Sequence, residues 1–104
     1  MDDFIFIYIT NPTKAEARTI AKHLLKKKLI ACANIHGPVN SLYPWKGKLA
    51  DEGEYILIAK TVKGLWERVR RAVEKIHSYS VPCIVRISVS SNRKYFKWLK
   101  SELK

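Results

Sequence analysis

Phe4-Ile-Phe-Ile-Tyr-Ile-Thr10 is the stretch whose reading decides the fold. It is β-branched and aromatic throughout, without polar alternation, which predicts a strand covered on both faces. Asn11-Pro12-Thr13 breaks it, and Thr13 with Glu16 three residues on has the spacing of a capping box, with Pro12 beside the helix start. Ala17, Ile20, Ala21, Leu24 and Leu25 then recur at helical spacing, with Lys14, Arg18, Lys22, Lys26 and Lys27 opposite. That pattern predicts an amphipathic helix of about four turns.

Beyond the helix the period changes. Leu29 to Ile35 reads as a second strand, broken at His36-Gly37-Pro38 by a bulge or edge and resuming from Val39 to Trp45. Lys46 to Glu54, with two glycines and three acids, reads as a hairpin connection, and Tyr55 to Thr61 as the third strand. Leu65, Val69, Ala72, Val73 and Ile76 form the stripe of a second helix, and Ser78 to Pro82 a loop. Cys83, Val85, Ile87 and Val89 point one way and Ile84, Arg86 and Ser88 the other, the alternation of a last strand. Asn92 can cap a final helix whose Phe96, Leu99 and Leu103 share a face.

The order β-α-β-β-α-β plus a tail helix predicts one α+β domain over residues 1–104. Its sheet is antiparallel and ferredoxin-like (split β-α-β), with both main helices on one face. The other face is then bare although the first strand is apolar on both sides, a larger patch than soluble monomers tolerate. An obligate homo-oligomer is expected.

Composition narrows the function. Twenty Lys+Arg against nine Asp+Glu give a formal net charge of +11. The positives are spread over the outer faces of helices, which reads as solvated surface and makes nucleic acid an unexpected partner. No apolar run exceeds six residues, against the about 20 of a membrane span. The start Met1-Asp2-Asp3 lacks the basic residues of a secretory signal, so a cytoplasmic protein with two reduced cysteines is expected.

Glycine-rich phosphate loops, Cys-x-x-Cys, His-Glu-x-x-His and Gly-x-Ser-x-Gly patterns are all missing. The carboxylates lie on helix exteriors or in the Asp51, Glu52, Glu54 connection, where no paired acid/base site is expected. The reading is therefore not an enzyme. Soft ligand chemistry remains: Cys32 on the face of its strand shared with Ile30 and Asn34, His77 at a helix end, and Cys83 at the start of the last strand. Thiolate and imidazole together suit copper or zinc. As plain structure the same residues would be packing cysteines and a helix-capping histidine. Tyr43, Trp45 and Tyr79 could line a pocket or a subunit seam, being apolar at one end and polar at the other.

The ordered set of motifs resembles the CutA-like divalent-cation tolerance proteins. It comprises Thr10-x-Pro12, Ala17, Ile20-Ala21, Leu29-Ile-Ala-Cys-Ala-Asn-Ile35, Ser41-x-Tyr43-x-Trp45-x-Gly47-Lys48 and Ile56-Leu-Ile-x-Lys60-Thr61. His77-x-Tyr79-x-Val81-Pro82 and Tyr95-x-x-Trp98-Leu99 complete it. The resemblance implies a ferredoxin-like subunit in a cytoplasmic homotrimer with sheets turned inward. It also implies tolerance and binding of copper or related divalent ions, no catalysis, and no metal needed for folding. It places Cys32 and His77 in the family's strand and loop positions. The family's loop reads His-Pro-Tyr-Glu-Val-Pro-Glu, and here Ser78, Ser80 and Cys83 replace its proline and both glutamates. The expected metal residues are Cys32, His77 and Cys83, with a softer preference than the family's. The expected inter-subunit cleft comprises Ser41, Tyr43, Trp45, Lys48, Lys60 and Tyr79. The alternative is a trimeric scaffold or signalling module that holds an anionic metabolite or nucleic acid in those clefts.

Overall fold

The computed structural model describes residues 3–104; Met1 and Asp2, part of the acidic start, lie outside the described residues. Four strands, β1 (Phe4–Asn11), β2 (Cys32–Trp45), β3 (Lys48–Val62) and β4 (Ile84–Ser88), form one antiparallel sheet in the order β2-β3-β1-β4. Helix α1 (Lys14–Lys26) connects β1 to β2, and α2 (Trp66–Ile76) connects β3 to β4 after a short 3₁₀ turn. Helix α3 (Arg93–Ser101) follows β4. This is the α+β, split β-α-β arrangement that the sequence predicts.

The core lies between the sheet and the two main helices. Ile5, Ile7 and Ile9 point into it from β1 and meet Ile20 and Leu24 of α1 and Val69 and Val73 of α2, all buried. Each such side chain contributes about 1.5–3 kcal/mol on leaving water. Thr13 caps α1 as expected, its hydroxyl accepting from the Glu16 amide at 3.1 Å. The Glu16 carboxylate does not close the capping box; it reaches instead to Ser78, 62 residues away.

The far side of the sheet is less bare than expected. Helix α3 folds back over the Phe4 end, where Phe96 stacks on Phe4 with centroids 5.3 Å apart and Leu99 closes a second cluster. The rest of that side remains open, and Val85 and Ile87 are 45 % and 43 % exposed on it. The apolar side of β4 thus faces away from the core. It is Ile84 that packs toward the helices, while Arg86 lies over the Trp66 ring at 5.5 Å.

Two strand boundaries differ from expectation. The residues before Cys32 finish the α1 connection rather than begin β2, and Thr61 donates to the Leu29 carbonyl at 2.7 Å there. More consequentially, Lys48 to Glu54 is strand, not loop. The hairpin turn is only Lys46-Gly47, with φ of 51° and 78°, the two left-handed positions of a type I′ turn. Since β1 pairs with β3 only back to Tyr55, the outer halves of β2 and β3 project as a two-stranded arm, which helps stretch the molecule to 45 Å. The break at Gly37 behaves as predicted, as a bulge between His36 and Val39 within a continuous strand. Among the described residues, no helix is long and apolar enough to cross a membrane.

Candidate functional site

The loop after α2 is anchored by His77, whose side chain is fully buried. Its Nε2 lies 2.8 Å from the Thr10 carbonyl, which can only accept, so Nε2 carries the hydrogen. Nδ1 then accepts the Tyr79 amide at 3.0 Å, and the Glu16 carboxylate, 3.5 Å from Nδ1, takes both hydrogen bonds of Ser78. Both ring nitrogens are committed to protein. His77 therefore acts as a clamp that fixes the loop to β1.

What the clamp positions is Tyr79. Just past the last β1–β3 pair, its hydroxyl donates to Glu54 at 2.7 Å, and the Tyr43 hydroxyl donates to Glu52 at 3.2 Å. Burial, and then the Glu54 hydrogen bond and charge, push the Tyr79 phenol far above its ordinary value. Partial burial and Glu52 raise Tyr43 as well. Both phenols thus stay protonated and keep donating across the physiological range.

Around these pairs lies a groove of about 680 Å³, walled by Ser41, Tyr43 and Trp45 of the arm, Glu52 and Glu54 of β3, and the loop through Cys83. Of the expected cleft residues, Ser41, Tyr43, Trp45 and Tyr79 line it. Lys48 and Lys60 do not: Lys48 faces Trp45 across the arm's tip, and the Lys60 ammonium lies over the Phe6 and Tyr95 rings at 5.6 and 5.4 Å. Glu52 and Glu54 were absent from the expected site, and no carboxylate pair in a cleft was expected. The groove holds two, and the signal was their i, i+2 spacing, which puts both on one face once the segment is a strand.

The three expected metal residues stay apart within one chain. Cys32, half-buried, pairs with Lys60 on the open side of the sheet, in line with Phe6. From Phe6 to Thr10, where His77 is bonded, is about 13 Å of strand. Cys83 is exposed in the groove wall rather than packed, because the face of β4 it leads into points away from the core. Both cysteines are free thiols. Among the described residues no group of three or more His, Cys, Asp or Glu is placed to hold a metal ion. What one chain offers is a partial set, two carboxylates and a thiol along one groove.

Fold and groove together define a small α+β protein of the split β-α-β class with an acidic groove beside the sheet. Residues 5–102 match the family described as CutA1 divalent ion tolerance protein, and the chain belongs to that family. It is 41 % identical over 101 residues to the divalent-cation tolerance protein CutA of Pyrococcus horikoshii, covering 96 % of this chain and 98 % of that one. It is 45 % identical over 91 residues to its namesake from Archaeoglobus fulgidus, covering 88 % of each. The crystal structure of CutA1 from Oryza sativa superposes with a TM-score of 0.94 at 33 % identity, over 98 % of this chain and 94 % of that one.

Proposed function

We propose that this protein is a non-catalytic homotrimer that binds divalent metal ions in the Tyr43–Tyr79 groove, with cytoplasmic metal tolerance as its role. The observation that carries the reading is the groove itself. It gathers Glu52, Glu54 and Cys83 in one concavity of a chain whose net charge is +11. Carboxylate oxygens alone would favour hard cations, whereas the thiol shifts preference toward copper or zinc. Because one chain supplies an incomplete set, a neighbouring copy completes the coordination, and the open side of the sheet gives that copy a place to pack. Exposed Val85 and Ile87, with Leu42 and Leu49 of the arm at 61 % and 74 % exposure, support such packing. The groove's acidic walls, and the distance of Lys48 and Lys60 from it, weigh against an anionic ligand in this position.

Calorimetric titration of the reduced, assembled protein with zinc tests the metal reading. Cys83→Ser and Glu54→Gln are each expected to weaken binding about tenfold, with Cys32→Ser close to wild type. Magnesium bound as tightly as zinc, or both groove variants binding like wild type, overturns it. Light scattering that finds single chains at micromolar concentration overturns the trimer.

A further inference from the structure

The opposite end of α1 carries a second concavity, of about 370 Å³, with the reverse character. Lys27, Arg68, Arg71 and Lys104 ring it, over buried Leu29 and half-buried Ala72. Local chemistry sets the main-chain positions from which these side chains extend. Helix α1 ends in a Schellman motif: the Leu29 amide donates to the Leu24 carbonyl, the Lys28 amide to that of Leu25, and Lys28 sits in the left-handed region at φ 58°. That turn sets Lys27 on the rim and Leu29 in the floor. The Lys104 amide donates to the Lys28 carbonyl at 3.0 Å, bringing the chain's last described residue to the same place. Arg68 and Arg71, three apart on α2, share a helix face, and Arg71 Nε donates to the Glu67 carbonyl at 3.4 Å.

No ion pair among the described residues involves any of the four cations. The carboxylate of Glu67, which feels the Arg71 charge, is taken by Arg70 through two hydrogen bonds of 3.4 and 2.7 Å. Four like charges around one hollow repel one another, and a multivalent anion that enters relieves all of them together. Guanidinium forks suit phosphate oxygens in particular. The hollow is concave and small, which suits a short phosphate chain; a nucleic-acid duplex needs roughly 1,000 Å² or more of protein surface.

We infer that the Lys27–Arg68–Arg71–Lys104 hollow is a binding site for a small, multiply phosphorylated anion. It stands at the other end of the molecule from the metal groove and does not depend on the metal reading. The test is calorimetric titration of the assembled protein with inorganic tripolyphosphate. One saturable site per chain is expected, weakened about tenfold or more in the Arg68→Gln/Arg71→Gln double variant. Lys94→Gln/Lys97→Gln, which removes the same charge from exposed positions of α3, should bind within about twofold of wild type. Both double variants remove exposed cations and are expected to melt close to wild type. Equal weakening by the two variants, or no saturable uptake at millimolar tripolyphosphate, overturns the site. So does displacement of tripolyphosphate by a stoichiometric DNA duplex. A nucleoside triphosphate run in parallel distinguishes sources: tighter binding than tripolyphosphate supports the site and assigns a nucleotide, and equal binding supports it with the phosphate chain alone recognised.

Discussion

The two hollows, separated by the roughly 20 Å length of α1, handle charge in opposite ways. In the groove of Glu52 and Glu54, each carboxylate accepts from a tyrosine hydroxyl, and one of those tyrosines is positioned by a buried histidine clamp. In the basic hollow the four cations make no ion pairs among the described residues, and only Arg71 is steadied, through a main-chain carbonyl. The first site is organised before any ligand arrives, and the second relies on long side chains that a ligand must gather. Pre-organisation carries stability as well as geometry, so the acidic end is where substitutions should cost most.

The largest effect is expected at Gly37. Its φ is 147°, and a Cβ there would stand 2.9 Å from both the Glu54 carbonyl and the Tyr55 ring. Gly37→Ala should cost about 2–3 kcal/mol in chemical denaturation and disturb the backbone under Glu54. Tripolyphosphate binding by the folded fraction should be unchanged, which keeps the two ends separable.

A smaller loss is expected from Tyr79→Phe, about 1 kcal/mol at neutral pH for the hydrogen bond to Glu54. Its pH dependence is more telling. The phenol's value is raised in the folded state, so its contribution is complete below the unfolded value of 10.0 and drains away as pH climbs beyond it. Thermal melts of the wild type should therefore drop above that pH, and the phenylalanine variant should show a shallower drop. Equal alkaline slopes would mean that the tyrosine does not link proton and fold.

The smallest effect, and the only gain, is expected at the basic end. Lys28 occupies a left-handed position that glycine takes without strain, and Lys28→Gly should stabilise by about 0.5–1 kcal/mol in denaturant titration.

Where the sequence could be read, one physical signal dominated locally. Phe4 to Thr10 was legible because an unbroken β-branched and aromatic run reads as strand, although the strand runs on to Asn11 and its Phe6, Tyr8 and Thr10 side is only partly covered. Thr13 was legible because a cap is a local chemical event. The bulge at Gly37 was legible for the same reason. Lys48 to Glu54 was not: on a projecting arm most of these residues stay wet, so a strand there carries the polarity of a loop. Losing that strand hid the Glu52–Glu54 face, and with it the acidic half of the groove. The strand β4 was legible, but the outward direction of its Cys83, Val85 and Ile87 side was not, because alternation tells which residues share a side but not which side faces the core. The return of α3 onto Phe4, and the meeting of Lys27 with Arg68, Arg71 and Lys104, join residues far apart in the chain, which no local pattern announces.

The overhanging hairpin has a consequence of its own. Past Tyr55 its two strands hold only each other, and a lone ribbon of that kind is barely stable in water. In the proposed trimer its amides should be the first in the sheet to exchange with deuterium when the copies are diluted apart, which would make assembly and the ordering of this ribbon one thermodynamic event.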